Sequence, residues 1–188
     1  MNSQSPGPEA GHLPISEPRN GPREVSVTSL WTTHRIALLQ IVLSAAGVAV
    51  AVILTSFHYS PATTAALCTG AGGCETVNTS PYATIAGIPV ALLGMAAYVA
   101  IGALAFASTR EARPEQGRRG ALAEQAPLAI FGLSLAGVLY SAYLTYLEIF
   151  VIRAICPWCV VSALIMTAIW ISSVVDIVRR RRDTAEAV

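Results

Sequence analysis

Four long apolar stretches, separated by polar segments, dominate the pattern of residues along the chain. Each stretch has 21 or 22 residues and contains no charged side chain. Because a helix of about 20 apolar residues crosses the hydrocarbon core of a bilayer, this pattern predicts an all-α integral membrane protein with a bundle of four transmembrane helices. The predicted spans are Ile36–Phe57, Gly87–Ala107, Ala126–Leu147 and Ala154–Val175.

The composition argues against the main alternative, a soluble protein with four buried helices. Hydrophobic residues make up 54% of the 188-residue chain and charged residues only 12%, with a mean hydropathy of +0.57. A soluble domain usually carries about twice this charged fraction. The remaining polar segments are too short to cover four apolar helices, and the net charge of +1 gives no indication of a nucleic-acid partner.

The segments outside the apolar stretches divide the chain into three parts. Residues 1–33, rich in Pro, Gly, Ser and Glu, predict a disordered N-terminal tail without a cleaved signal peptide. Residues 34–178 form the predicted membrane domain. Residues 179–188 form a short charged tail that leaves no room for a fused further domain. We expect an extracytoplasmic loop with a short helix between the first two spans.

All twelve basic residues are arginines, and their positions predict how the chain is oriented in the membrane. Eleven of them flank the spans on one side: Arg19, Arg23, Arg35, Arg110, Arg113, Arg118, Arg119 and Arg179–Arg182. By the positive-inside rule that side is cytoplasmic. Both termini are therefore predicted in the cytoplasm, and the long loop 58–86 is predicted on the outer face.

The four cysteines form two pairs, and both pairs fall on or near this outer face, where disulfides can persist. Cys156 and Cys159 belong to a Cys-Pro-Trp-Cys sequence that opens the fourth span. Proline suits the first position of a helix, so we expect Cys156 to be the N-cap, where the helix dipole lowers the pKa of a thiol. Cys159 lies about 4.5 Å deeper on a similar face, so the two sulfurs can form a disulfide.

Cys68 and Cys74 lie in the long outer loop, separated by five residues of which three are glycine. This flexible spacer permits a small disulfide-closed loop at little cost in entropy. A static structural disulfide is one interpretation of the pair. The second pair nearby favours thiol–disulfide exchange between the pairs, because exchange proceeds by stepwise thiolate attack.

Other polar residues near the outer face allow simpler interpretations. A zinc site would need two further ligands close to the Cys-x-x-Cys sequence, and His58 is the only histidine on the outer side, so no metal is expected. Tyr140, Tyr143 and Tyr146 can either face a cavity or anchor the third span at the interface. Glu148, at the outer end of that span, is interpreted as a solvated interfacial carboxylate, with assistance in proton transfer as the alternative.

Two sequence runs complete the pattern around the cysteines. They are Cys68-x5-Cys74-Glu75-x-Val77-x-x-Ser80-x-Tyr82-Ala83 and Gly87-x-Pro89-x-x-Leu92-x-Gly94. Together with the four spans and the second cysteine pair, they resemble the bacterial vitamin K epoxide reductase homologues, from about Arg35 to Val178. Quinone-coupled catalysts of the DsbB type also have two cysteine pairs, but the run from Ser80 to Pro89 favours the epoxide reductase family.

The resemblance implies an electron relay at the outer face of a bacterial inner membrane. A separate thioredoxin-like (DsbA-like) protein would reduce the Cys68–Cys74 disulfide through Cys68. The freed Cys74 would attack Cys156, and Cys159 would then pass two electrons to a quinone, menaquinone or ubiquinone, held within the bundle. Ser80 is implied to support the loop and the quinone pocket.

Two other functions stay open on the sequence alone. One is reduction of vitamin K epoxide or of a quinone by a small-thiol donor, which a comparison of the two acceptors distinguishes. The other is a non-catalytic membrane bundle with structural disulfides, whose cysteines would not respond to quinone depletion.

Overall fold

The structure, a computed structural model, describes residues 27–68, 73–109 and 117–186. The predicted N-terminal tail up to residue 26, the glycine spacer at 69–72 and the central linker at 110–116 lie outside these residues.

Six α-helices and one small hairpin make up the described part of the chain. The four long helices are α1 (Val27–Tyr59), α4 (Val90–Thr109), α5 (Gly117–Leu147) and α6 (Pro157–Glu186). The segment between α1 and α4 contains α2 (Pro61–Leu67), α3 (Gly73–Asn78), a 3-10 turn (Pro81–Ala83) and the antiparallel strands β1 (Thr84–Ile85) and β2 (Ile88–Pro89). A five-residue π-helical turn, Glu148–Ile152, follows α5.

The four long helices contain segments that are long and apolar enough to cross a membrane, as the sequence predicts. These segments are His34–Tyr59, Val90–Thr109, Gln125–Ile152 and Pro157–Arg182. The first helix begins at Val27, so helix extends back into the part 27–33 that was predicted as tail. Likewise, α6 continues to Glu186 through most of the segment predicted as the C-terminal tail.

Two helices begin later than the apolar pattern predicts, for reasons of local geometry. Ala86 and Gly87 form the turn between β1 and β2, and both have positive φ, 50° and 81°. A two-residue turn of this kind matches the twist of a hairpin, so the second span begins after it, at Val90 and not at Gly87. Arg153 also has a positive φ, 56°, so the chain leaves the π-helical turn there and the fourth helix begins at Pro157 and not at Ala154.

The spanning helices pack in a closed ring. Both α1 and α5 contact α4 on one side and α6 on the other. The interior of the ring is filled by a cluster of buried side chains: Tyr98, Ile101, Ala105, Ile130, Met166 and Ile169.

Glycines bring some of these helices close together. A Cβ added at Gly47 would collide with the ring of Tyr98, and one at Gly137 would lie 2.8 Å from Met166. Without a hydrophobic force between helices in lipid, such close contact supplies much of the packing energy. Gly94 differs, because an added Cβ there meets no atom within 4 Å.

Polar contacts identify which helix ends lie together. The side-chain amide of Gln40, in the first half of α1, donates to the hydroxyl of Ser172, in the second half of α6, at 3.3 Å. Asp176 and Arg180 form an ion pair of 2.9 Å at the same end. The cysteines therefore lie at the opposite end of the bundle.

Candidate functional site

All four cysteines meet in one cluster at this opposite end. Cys74 and Cys156 are almost fully buried, with 1% and 0% of their surface exposed, while Cys68 and Cys159 are partly buried. Their neighbours in the cluster are buried α1 side chains: Val50, Leu54 and Phe57. The two pairs that the sequence predicts are therefore adjacent, with one fully buried sulfur from each pair.

The outer pair joins the ends of two short helices. A disulfide links Cys68, which directly follows α2, to Cys74, the second residue of α3, and their Cα atoms are 6.3 Å apart. The backbone N–H of Cys68 donates to the carbonyl of Thr64 at 3.0 Å and so closes the last turn of α2. The predicted pairing within the loop is thus present in the structure.

Gly73 brings this outer pair onto the inner one. A Cβ at Gly73 would collide with the backbone carbonyl of Ile155, one residue before Cys156. Only a residue without a side chain permits this approach of α3 to the segment that precedes α6. The neighbouring Cys74 is consequently held beside Cys156.

The inner pair occupies the start of α6. Helix α6 begins at Pro157, and the carbonyl of Cys156 accepts the N–H of Val160 at 3.1 Å, so Cys156 is the N-cap as predicted. Cys156 and Cys159 are both thiols. The hydrogen bond from the Cys159 side chain is the largest cause that lowers the pKa of Cys156, with smaller help from backbone N–H groups; burial and the Glu148 charge oppose it.

Glu148 is buried between the bundle and this helix start, so its interpretation as a solvated carboxylate is wrong. Only 3% of its surface is exposed, and Oε2 accepts the backbone N–H of Cys156 at 3.2 Å. The backbone carbonyl of Glu148 accepts the N–H groups of Arg153 and, at 3.1 Å, Ala154. The π-helical turn thus directs this carboxyl group inward.

A cavity of about 400 Å³ lies beside the inner pair. It is lined by all four spanning helices, by α3 and by the segment Ser80–Pro89. The structure describes all four cysteines, and Cys159 is the one among them that lines the cavity. Its walls are mainly apolar, and its polar lining groups are His58, Asn78, Ser80, Tyr82, Tyr98, Tyr140, Ser141, Thr145, Glu148, Cys159 and Ser162. Volume and lining are typical of a site for a small apolar ligand with a few polar atoms.

Ser80 lies at the rim of this cavity and shapes the loop above it. Its hydroxyl donates to the carbonyl of Val77 at 2.7 Å, and its carbonyl accepts the N–H of Ala83 at 3.0 Å. These two bonds join the end of α3 to the 3-10 turn. The contribution of Ser80 to ligand binding stays a prediction.

Of the three tyrosines of the third span, one faces the cavity and two lie on the outside of the bundle. Tyr140 lines the cavity, whereas Tyr143 and Tyr146 are 51% and 55% exposed on the outside of the bundle. Tyr98, which sequence reasoning missed, also borders the cavity, and its hydroxyl donates to the carbonyl of Ser162 at 2.8 Å. Nothing in the apolar pattern of α4 distinguishes this tyrosine, since only packing turns it inward.

A model of the vitamin K epoxide reductase family matches residues 38–174. The match covers most of the chain and includes all four cysteines, the cavity and Ser80. The chain belongs to the vitamin K epoxide reductase family. It is therefore an oxidoreductase, a multi-pass membrane protein that acts on thiols. Members of the vitamin K epoxide reductase family use electron carriers of the quinone type.

Proposed function

We propose that this protein oxidises a thioredoxin-like protein outside the cytoplasm and transfers the two electrons to a membrane quinone, in support of disulfide formation. The observation that carries the proposal is the arrangement of the four sulfurs. Cys74 and Cys156 are buried in one cluster, Cys68 is the more accessible member of the outer pair, and Cys159 lines the cavity. Cys68 is thus placed to receive electrons from a partner, Cys74 and Cys156 to exchange them between the pairs, and Cys159 to pass them to a ligand in the cavity.

The exchange steps follow from this order. A thiolate of the partner attacks Cys68, the bond to Cys74 breaks, and the second partner thiol then releases the oxidised partner. Cys74 attacks Cys156 of the oxidised inner pair, and Cys159 leaves as a thiolate. Attack of Cys68 on Cys74 restores the outer disulfide and leaves two inner thiols. An outer disulfide beside two inner thiols, the bonding pattern described above, corresponds to this last stage.

The cavity suits a quinone as the acceptor for the inner pair. A bound quinone supplies a site for two electrons and two protons at its ring oxygens. The apolar side chains from α4 and α5 would hold its ring and the start of its tail, and Ser80, Tyr140 and Ser141 offer hydroxyl groups to its oxygens. Walls from all four spanning helices exclude water from Cys159, which protects a thiolate from side reactions.

We further propose that the cysteine end faces outward. Arg35 and the run Arg179–Arg182 lie at the end of the bundle marked by the Gln40–Ser172 contact, opposite the cysteines. The positive-inside rule assigns an arginine-rich end to the cytoplasm. The thiol partner is then a protein of the periplasm or the cell-wall space.

Reconstitution in liposomes tests this function. The purified protein, a quinone and a reduced thioredoxin-like protein should yield one hydroquinone for each partner disulfide formed. No oxidation should occur without quinone or with the Cys159→Ser variant. Partner oxidation that is independent of quinone would contradict the proposal. Reduction of vitamin K epoxide, but not of quinone, by a small thiol would instead support the alternative function.

A second test concerns the partner. In the Cys74→Ser variant Cys68 is a free thiol, and no Cys74 sulfur is present to displace a bound partner. A thioredoxin-like protein with a single cysteine, activated as a mixed disulfide with an aromatic thiol, should therefore become linked to Cys68 as the aromatic thiol leaves. The Cys68→Ser variant serves as the control and should form no mixed disulfide with the partner through the buried Cys74. Equal trapping by both variants would contradict Cys68 as the entry point.

A further inference from the structure

Glu148 is the one carboxyl group of the described residues that is buried at the cysteine end, and the relay of sulfurs above does not use it. It lines the same cavity as Cys159. Its Oε2 accepts the backbone N–H of Cys156, at 3.2 Å. A charged side chain at such depth in a membrane protein is costly and is usually retained for a function.

Closing the inner disulfide requires protons to leave this site. When Cys156 and Cys159 become a disulfide, two electrons leave the sulfurs and two thiol protons must be released. The pKa of Cys156 is lowered, so this thiol loses its proton first. Cys159 lines the cavity, so the proton of its thiol needs an acceptor within the site.

We propose that Glu148 is this acceptor and the internal proton carrier of the inner pair: it takes the proton of Cys159 as the disulfide forms and gives it to the reduced quinone in the cavity. The inference rests on the proposed function. The balance is complete, since two thiols and one quinone become one disulfide and one hydroquinone. One proton of the hydroquinone comes from Cys159 through Glu148. The other comes from solvent and matches the proton that Cys156 released.

The electrostatics of the site favour transfer within it. Three acidic groups lie close together here: Glu148 accepts the N–H of Cys156, and Cys159 follows within the first turn of α6, whose start offers only about half a positive charge. In a desolvated site, negative charges this close oppose one another, so loss of a proton from one group favours its capture by a neighbour. Handing the Cys159 proton to Glu148 avoids adding a further net charge inside the bundle.

Other ionisable groups around Glu148 are placed less well for this role. Besides the inner cysteines, the ionisable side chains that line the cavity or lie near the π-helical turn are His58, Cys74, Glu75, Tyr82, Tyr98, Tyr140, Tyr143, Tyr146 and Arg153. Cys74 is in the disulfide, and the side chains of His58, Glu75, Tyr82, Tyr143, Tyr146 and Arg153 are exposed. Tyr98 donates its hydroxyl to the carbonyl of Ser162, and Tyr140 packs against Tyr143. Glu148 is the buried carboxyl group that shares the cavity with Cys159.

A role limited to structure is the alternative, because Oε2 also holds the N–H of Cys156. The Glu148→Gln variant separates the two roles, since an amide oxygen can still accept this N–H but does not take up a proton. If Glu148 carries the proton, quinone reduction by the prereduced inner pair should be about 10²-fold slower in this variant, a usual size for loss of a general acid or base. The matched control is Asp176→Asn, which removes a buried carboxyl group at the other end of the bundle.

Infrared difference spectroscopy gives a readout independent of quinone. Oxidation of the inner thiols by a soluble oxidant, without quinone, should produce the band of a protonated carboxyl group, because the proton stays on Glu148. The band should persist in Asp176→Asn and vanish in Glu148→Gln. If the variant folds poorly, isotope-labelled glutamate in the unaltered protein identifies the band, and Glu148→Asp should retain it.

Each outcome decides the inference. A wild-type spectrum without the carboxyl band, or a band that survives in Glu148→Gln, would overturn it. So would wild-type rates of quinone reduction in Glu148→Gln at every pH. If the unaltered protein reduced no quinone at all, the proposed function would fail, and the infrared result would still decide whether Glu148 takes the proton of Cys159.

Discussion

Cys68 and Cys74 are held by short helices of a connecting loop, whereas Cys156 and Cys159 lie on the first turn of a long spanning helix. Helix α2 has seven residues and α3 has six, so neither is stable without its neighbours. Helix α6 has 30 residues, packs against two other spans, and receives Glu148 at its start. One pair can therefore move while the other stays in place.

Each pair has one buried cysteine and one cysteine that is more accessible. In the outer pair the first cysteine is the accessible one, and in the inner pair the second one is. The buried sulfurs, Cys74 and Cys156, share one cluster. Under the proposed function, the loop pair would react with the protein partner and the helix pair with a ligand in the bundle, while the buried sulfurs exchange electrons between them.

The largest expected effect comes from removing the sulfur at the cavity. Cys159→Ser should lose quinone-dependent thiol oxidation down to the background rate, because no other cysteine lines the cavity. The fold should persist, since serine is similar in size and Cys159 is only partly buried. Quinone reduction in liposomes measures the loss, and an intact Cys68–Cys74 disulfide confirms folding. Substantial turnover in this variant would break the assignment of the two pairs.

Removing the buried sulfur of the outer pair should have an effect that depends on the donor. Cys74→Ser should stop oxidation of a protein partner, which reaches only the loop pair. Dithiothreitol is small enough to reach the inner pair, so its oxidation should continue in part. Rates with the two donors, measured on the same preparation, check this. Full activity with the protein partner would contradict a relay through Cys74.

A smaller effect is expected when the two pairs are moved apart without loss of any sulfur. Gly73→Ala places a methyl group against the carbonyl of Ile155 and pushes α3 away from Cys156. Exchange between the pairs should slow by about 10- to 100-fold, because small displacements of reacting atoms have effects of that size. The control is Gly132→Ala, where an added Cβ meets no atom within 4 Å. Rapid-quench alkylation measures the exchange, and equal rates in both variants would refute the role of Gly73.

The sequence predicted the fold, the pairing of Cys68 with Cys74 and the N-cap at Cys156 because all three depend on local patterns. Span length and arginine placement are read directly along the chain, and Pro157 at the first turn of α6 identifies Cys156 as the N-cap. The hairpin at Ala86 and Gly87 delayed the start of the second span, because its apolar residues look the same in a strand as in a helix. Periodicity alone does not separate these cases in short apolar runs.

The sequence did not predict what tertiary packing alone decides. Glu148 comes directly after the outer end of an uncharged stretch, and this position suggests that its side chain is exposed to solvent. The π-helical turn and the positive φ of Arg153 instead direct the side chain inward. The approach of Gly73 to Ile155 joins residues far apart in the chain, which no spacing rule indicates. The signal that could have identified Glu148 is its distance of only eight residues from Cys156, too short for a carboxylate to be remote from the helix start.

The hydrogen bond within the inner pair should produce a more modest, pH-dependent effect. The Cys159 side chain lowers the pKa of Cys156, so the thiolate of Cys156 persists at a lower pH than in an ordinary thiol. Cys159→Ala removes this bond and should raise the pKa of Cys156, with about a tenfold loss of thiolate at a fixed pH for each unit of change. Thiolate absorbance, titrated against a Cys156→Ser reference, measures it. An unchanged or lower value would contradict the bond as the main cause.

The smallest effect should come from the bond that ties the two regions together at the surface. The indole N–H of Trp158 donates to the carbonyl of Leu67 at 3.2 Å, directly before Cys68. Trp158→Phe removes this bond and keeps most of the ring, so the free energy of unfolding should fall by only about 1 kcal/mol. Because the bond holds the end of α2 to α6, the outer disulfide should become more accessible to reductants while the inner pair keeps its reactivity. Thermal unfolding and the rate of Cys68–Cys74 reduction measure the two effects, and equal acceleration at both pairs would show that they move as one unit.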